Sequence, residues 1–206
     1  MSPRGVTLLA SGLILAGVFG LSAGHASAQD DPVPIGVQIQ IMVKVLNFDR
    51  RLPERLGGRL TVGVLYQSRY RTSANVGEEV CRTVMGLPQS ALGSLQSLQI
   101  SCIAIDLDEA PDVAAALKRE RVQVLYVSPL RAYRLEDLVA VTRAAQITTL
   151  TGVPRYVEGG LAIGVDMKGD RPEIVVNLAA SRAEGADLNA QLLKLARVVG
   201  TSGGGS

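Results

Sequence analysis

Two cysteines, Cys81 and Cys102, and the carboxylates Asp106, Asp108 and Glu109 are the side chains of this 206-residue chain with the clearest capacity for chemistry. An even number of cysteines in an oxidising compartment favours a disulfide, and two buried free thiols are the alternative. A disulfide across a loop of this size would stabilise the fold by roughly 3 kcal/mol, and a redox switch is a further hypothesis. The carboxylates follow a predicted strand, where open α/β sheets place ligands. Helix capping nevertheless accounts for most of that cluster.

The only histidine of the chain is His25, in a segment that we expect to be removed on export. Loss of that segment excludes Ser-His-Asp and Cys-His nucleophile systems and histidine-based zinc sites. Tryptophan is absent and aromatic residues make up 3% of the chain, which argues against a platform for stacking sugars. We therefore expect no metal, no cofactor and no enzymatic activity. A hydrolase that uses Asp or Ser has the least support.

Both ends of the chain carry segments that we exclude from the fold. Arg4, an uncharged run over residues 5–22 and the A-x-A site Ala26-Ser27-Ala28 together predict a signal peptide that is cleaved after Ala28. Glycines thin the apolar run, which argues against a membrane anchor. Residues 201–206 predict a flexible tail. We expect residues 29–200 to form one domain in the periplasm.

Arginines are concentrated in one short segment, with Arg50, Arg51 and Arg55 close together and Arg59 just beyond. Such a basic patch could bind anionic lipid head groups or an acidic partner. A solvated surface is the commoner outcome for charges of this kind. The formal net charge of +2 for the whole chain argues against a nucleic acid as the partner.

Strands and helices alternate through the middle of the chain. The predicted strands span residues 59–66, 98–107, 122–127 and 147–151, and the predicted helices are centred on residues 73–85, on the segment after Asp108, and on Leu135, Leu138, Val139 and Thr142. We expect Asp108 to cap the middle helix, with Pro111 in its first turn. The strand at 98–107 is apolar on both faces, which predicts a position inside a sheet that is covered on both sides.

The pattern changes after residue 160. Residues 161–167 and 173–178 predict a β-hairpin around the turn at 168–171. Leu188, Leu192, Leu195 and Val199 predict a final helix that Asp187 caps. The fold class is therefore α/β, with a mostly parallel sheet built from βα units and closed by a C-terminal β-hairpin and helix. The glycines Gly159, Gly160 and Gly164 precede a strand and predict close backbone packing, because the lysine and helix of a phosphate loop are missing.

Three C-terminal segments carry a family resemblance. Residues 158–163 resemble the "GG, then small-apolar strand" signature of the YfiR/HmsC-like periplasmic family, residues 174–178 its "F-x-I-N-L" strand, and residues 188–196 its closing "S-x-Q-L-L-x-L-A" helix. Leu150-Thr151 lies where that family has "I-L-T". The residues that match these motifs are Gly159, Gly160, Asn177, Gln191, Leu192, Leu193 and Leu195. We expect Asn177 to fix the turn into the last helix.

The resemblance also resolves one ambiguous segment. Residues 35–48 alternate like a strand, yet the family begins with a helix, so the resemblance implies an opening helix here. The apolar side chains of that helix are more than one face can bury. We expect Ile35, Ile39, Met42 and Val43 to form a surface for a second copy or a partner.

The resemblance implies negative regulation at a membrane, because the family's namesake binds the periplasmic part of an inner-membrane diguanylate cyclase and holds it inactive. Release of such a cyclase raises cyclic-di-GMP and promotes biofilm. We therefore expect a periplasmic regulator that acts by protein–protein contact, as a homodimer. A periplasmic small-molecule binding module is the alternative, although the chain is short for a receptor that closes two lobes around its ligand.

Overall fold

The computed structural model describes residues 33–110 and 112–200. The predicted signal peptide, its cleavage site, the C-terminal tail and Pro111 lie outside the described residues. The helices of the described part are α1 (Ile35–Asn47), α2 (Leu52–Leu56), α3 (Arg71–Met85), α4 (Val113–Arg119), α5 (Leu135–Ala145), α6 (Pro154–Glu158), α7 (Leu178–Ala183) and α8 (Ala190–Leu195). The strands are β1 (Arg59–Tyr66), β2 (Gln99–Asp106), β3 (Val124–Val127), β4 (Thr148–Thr151), β5 (Ile163–Lys168), β6 (Arg171–Asn177) and β7 (Arg197–Val199).

All seven strands form one sheet in the order β2-β1-β3-β4-β5-β6-β7. Strands β1 to β5 are parallel, β5 and β6 form an antiparallel hairpin, and β7 is parallel to β6. Val62 of β1 lies opposite Cys102 of β2 and Val124 of β3. The predicted α/β class, with its mostly parallel sheet and C-terminal hairpin, is confirmed.

Each face of the sheet has its own apolar core, because successive side chains of a strand point to opposite faces. On β3, Val124 and Tyr126 belong to the core covered by α1, α2 and α3. Leu125 and Val127 belong to the core covered by α4, α5 and α6. The central strands are therefore buried on both sides, which explains their nearly continuous apolar sequence.

The position of β2 differs from the prediction. The strand was expected inside the sheet but forms its edge, next to β1 only. Most of its residues are half-buried, and Gln99 and Ala104 are exposed. The apolar side chains on one face of β2 are accounted for by α3, which packs against that face. An edge strand with apolar residues on both faces cannot be distinguished from a central one by sequence alone.

The capping predictions for α4 and α8 are wrong. Asp112, and not Asp108, caps α4 by accepting a hydrogen bond from the backbone N–H of Ala115. Asn189, and not Asp187, caps α8 through the N–H of Leu192. In each case the residue directly before the helix has the extended backbone that a cap requires.

The chain also ends differently from the predicted single helix. An additional helix, α7, follows β6, and α8 stops at Leu195. Val199 lies in the short strand β7, where Arg197 is 3.1 Å from Glu173 of β6 and also pairs with Asp166 of β5. The spacing of the apolar residues up to Val199 favours a helix, but these ion pairs and the pairing of β7 with β6 stabilise a strand at residues 197–199.

Candidate functional site

The two cysteines form a disulfide that joins α3 to the edge strand. Cys81 and Cys102 are bonded, with 5.5 Å between their Cα atoms. Both side chains pack against the core under α1 and α3. The predicted pairing is confirmed. The disulfide anchors β2, one of the two edge strands of the described sheet, to a helix of the same domain.

The prediction of a partner surface on α1 is wrong, because all four residues that were assigned to it are buried. Ile35, Ile39, Met42 and Val43 have between 1% and 9% of their surface exposed. The prediction assumed that only one face of α1 is covered. The helix instead contacts α3 on one side, β5 below and the 3₁₀ turn Gly93–Ser97 at its end. Several faces are therefore buried at once.

The basic patch is divided between the surface and the interior. Arg50 and Arg51 are exposed, but the side chain of Arg55 is only 17% exposed. Its guanidinium lies 3.0 Å from the carboxylate of Asp49, whose side chain is 1% exposed. Burial lowers the pKa of Arg55, and the charge of Asp49 opposes that change. Arg55 therefore belongs to the interior and not to a lipid-binding patch.

Arg55 also fastens three segments of the chain to one another. It donates hydrogen bonds to the backbone carbonyl of Glu184 at 2.8 Å and to the hydroxyl of Thr148 at 2.9 Å. Asp49 accepts a further bond from the backbone N–H of Asp187. The Asp49–Arg55 pair thus holds α2, the start of β4 and the loop after α7 together.

A buried acid, Glu184, lies on the other side of the same loop. Its carboxylate accepts hydrogen bonds from the backbone N–H of Thr149 at 2.7 Å, from the hydroxyl of Thr149 at 2.8 Å and from the hydroxyl of Thr142 at 3.3 Å. Burial raises the pKa of Glu184 to about 7, and these bonds and the charge of Arg143 lower it only in part. Sequence analysis missed this residue, since nothing in the surrounding small residues signals a buried acid.

The carboxylates at the end of β2 tie down the loop after β1. Asp106 accepts hydrogen bonds from the backbone N–H groups of Ser68 and Asp108, and Asp108 accepts one from the N–H of Arg69. Partial burial would raise the pKa of Asp106, but these hydrogen bonds keep it below its usual value. Asp106 and Asp108 therefore hold the loop after β1 in place, and neither of them caps α4 as the capping interpretation implied.

The family-motif residues hold the hairpin against its surroundings. Gly160 has a φ of +114°, which L-residues with side chains rarely adopt, and a Cβ on Gly159 would lie 2.8 Å from Leu135. Asn177 caps α7 through the N–H of Ala180 and donates to the carbonyl of Val157. Asn177 was expected to fix the turn into the last helix, but it caps α7, and the last helix α8 is capped by Asn189.

The closing helix α8 presents only part of its motif to the core. Leu192 is buried and Leu193 is half-buried, whereas Gln191 is exposed. Leu195 is 69% exposed, more than the other large apolar side chains described, among which Met85 is 60% exposed. Leu195 therefore packs little against the domain to which it belongs.

A partly open cleft lies between α1 and α3 at the carboxyl ends of β3 and β4. This α1–α3 cleft has a volume of about 310 Å³ and is lined by Val33, Pro34, Ile35, Gln38, Thr72, Val76, Glu79, Tyr126, Pro129, Gly152 and Val153. Gln38 is buried there and accepts a hydrogen bond from the hydroxyl of Tyr126 at 2.8 Å. Burial raises the pKa of Tyr126, so its hydroxyl stays protonated. The cleft is mostly apolar with one acidic side chain at its wall.

A wider groove lies between α4 and α5 on the other face of the sheet. This α4–α5 groove has a volume of about 690 Å³ and is lined by Ala114, Leu117, Lys118, Arg121, Val122, Ala140, Val141, Ala144, Ala145 and Ile147. Within the described residues there is no group of three or more His, Cys, Asp or Glu side chains that could hold a metal ion. No helix among them is long and apolar enough to cross a membrane.

Comparison with known proteins gives one family and a set of similar folds. A family model described as YfiR/HmsC-like matches residues 85–197, more than half of the chain. No match was found among curated proteins.

Two solved structures share the fold at low sequence identity. The ABC domain in complex with L-Trp from Streptococcus pneumonia is 16% identical, with a TM-score of 0.53 over 81% of this chain and 60% of the other. A conserved domain protein from Vibrio cholerae O1 biovar El Tor is 13% identical, with a TM-score of 0.54 over 80% of this chain and 60% of the other. The chain thus spans about 60% of the length of these two structures.

Proposed function

The chain belongs to the YfiR/HmsC-like family, and on that basis we propose that it is a periplasmic regulator that acts by contact with an inner-membrane signalling protein. The partner that fits the family is a diguanylate cyclase, which the regulator would hold inactive. The single observation that carries this proposal is the family match over residues 85–197. Residues 1–28 would direct export and be removed after Ala28, and residues 29–200 would form the working domain.

The proposal requires binding and no catalysis. After removal of residues 1–28 the chain would contain no histidine. Its buried acid and its strand-end carboxylates are occupied by hydrogen bonds within the domain. A regulator of this kind requires an exposed surface that the partner can cover.

Leu195 is our proposed centre for the surface that contacts the membrane partner. It lies in the closing helix that carries the family motif, and its side chain is 69% exposed. Apolar surface that a domain leaves exposed can mark a contact site for a partner.

The proposed function can be tested in the cell by removing the protein. Loss of an inhibitor should release the cyclase, so the cellular concentration of cyclic-di-GMP should rise and biofilm should increase. Expression of the wild-type chain in the same strain should restore the original level. An unchanged concentration of cyclic-di-GMP in the deletion strain would contradict the proposal.

The α1–α3 cleft favours a second candidate, a periplasmic small-molecule binding module. Its volume of about 310 Å³ is at the lower limit for pockets that hold small ligands. Its position at the carboxyl ends of β3 and β4 is where open α/β sheets bind ligands. A ligand-induced rise in Tm that is lost when Val76→Trp fills the cleft would favour this candidate.

A further inference from the structure

The face formed by α4 and α5 carries an open, mostly apolar groove that has no assigned role. Both helices connect parallel strands, so they run in the same direction with their amino ends at the same edge of the sheet. Ala114, Ala140 and Ala144 are exposed along the α4–α5 groove. Small side chains allow another helix to approach closely.

The charges around this groove are separated by sign along its length. At the amino end, Asp112 caps α4 and Asp137 lies in the first turn of α5, and both are exposed. At the carboxyl end, Lys118 and Arg121 line the groove. Acidic side chains therefore flank one end of the apolar groove, and basic side chains line its other end.

Neighbouring charges offset this separation in part at both ends. Arg134 lies at the acidic end, 3.8 Å from Asp137 in an exposed ion pair. Glu120 lies at the basic end and pairs with Arg119 at 2.8 Å. Lys118 and Arg121 have no ion-pair partner among the described residues.

We propose that the α4–α5 groove binds a second copy of this chain about a twofold axis. A twofold axis that lies in the plane of the groove and perpendicular to α4 and α5 places the acidic end of each copy on the basic end of the other, so the surface is complementary to itself. Asp137, Ala140, Val141 and Ala144 follow the spacing of one helix side, which brings the charge and the small residues to the same contact. The inference specifies the surface of the homodimer and does not depend on the identity of the membrane partner.

Sedimentation velocity of the purified protein over a dilution series tests this inference. We expect a dimer whose dissociation constant rises with salt, because the end contacts are ionic. Ala144→Arg should raise that constant at least about tenfold, since the long charged side chain blocks the centre of the interface. The Tm measured at concentrations where both proteins are monomeric should be nearly unchanged, because Ala144 is exposed.

A matched pair of charge reversals separates the proposed contact from general electrostatics. Asp137→Lys should weaken the dimer, whereas Glu136→Lys should not, because Glu136 is also exposed in the first turn of α5 but points about 100° away. Asp137→Lys combined with Lys118→Glu and Arg121→Glu should restore the dimer.

Two results would overturn the inference. The first is a wild-type protein that stays monomeric at every concentration, and the second is a dimer that Ala144→Arg leaves unchanged. Neither result bears on the membrane partner, which the monomer could still bind. A wild-type protein that dimerises but does not inhibit any cyclase would instead contradict the proposed function alone.

Discussion

The guanidinium of Arg55 lies 3.0 Å from the carboxylate of Asp49, and the two side chains form the most enclosed ion pair among the described residues. The pair connects α2 with the start of β4 and with the loop after α7. The two charges are six residues apart in sequence, but the segments that they join are about 90 and 130 residues away. One local pair therefore fixes a distant part of the fold.

Replacement of Arg55 should destabilise the domain strongly. Arg55→Met leaves the carboxylate of Asp49 buried without its cation, so we expect a loss of about 3 kcal/mol in the free energy of unfolding. Arg50→Met is the matched control and should cost less than about 0.5 kcal/mol, because the side chain of Arg50 is 65% exposed. Urea denaturation of both variants measures the difference. Equal decreases in unfolding free energy for the two variants would show that the Asp49–Arg55 pair stabilises the fold no more than an exposed arginine does.

Removal of the disulfide should lower stability by a similar amount. Cys81 and Cys102 are 21 residues apart, and a loop of that size gives roughly 3 kcal/mol in the chain-entropy model. We expect Cys81→Ala with Cys102→Ala to show this loss in urea denaturation without reductant. Addition of reductant should then change the wild type and leave the double variant unaffected. A wild type that is insensitive to full reduction would contradict this prediction.

Glu184 should make stability depend on pH in a defined direction. Its pKa is about 7 in the fold against an ordinary value of 4.5, so the folded state binds the proton more tightly than the unfolded state. The associated stability is therefore fully present below about pH 4.5, and it is lost as the pH rises to about 7. The loss should be of the order of 3 kcal/mol.

Glu184→Gln tests this dependence, since the amide oxygen can still accept from Thr149 but carries no charge. The decrease in unfolding free energy between about pH 5 and about pH 8 should be much smaller in the variant. Glu54→Gln, a change at an exposed residue, should leave the decrease as it is in the wild type. Parallel pH profiles for wild type and Glu184→Gln would rule out Glu184 as the cause.

Much of the fold could be predicted because its core strands and helices have strong local patterns. The strand at Arg59–Tyr66 was predicted with its observed bounds, and the hairpin of β5 and β6 follows from two apolar runs around a glycine turn. The opening helix α1 could not be predicted from its own residues, which alternate like a strand. Its assignment depended on the family resemblance.

The errors arose where tertiary contacts decide the outcome. In the sequence, Arg55 cannot be distinguished from the exposed arginines beside it. In the fold its side chain is partly buried, because it donates hydrogen bonds to Asp49 and to three acceptors that are distant in sequence. The apolar side chains of α1 suggested a free surface, but the helix is covered on several sides. The short helices α6 and α7 have too few residues for a periodic pattern.

The most direct test of the proposed function is a crosslinking pull-down from membranes with three forms of the purified protein as bait. The wild type should recover an inner-membrane protein with a cytoplasmic cyclase domain. Leu195→Asp should reduce that recovery at least about tenfold without changing Tm, and Met85→Asp should not, because Met85 is equally apolar and 60% exposed but lies in a different helix. If the wild type recovers no such membrane protein, the regulatory account of this chain is wrong.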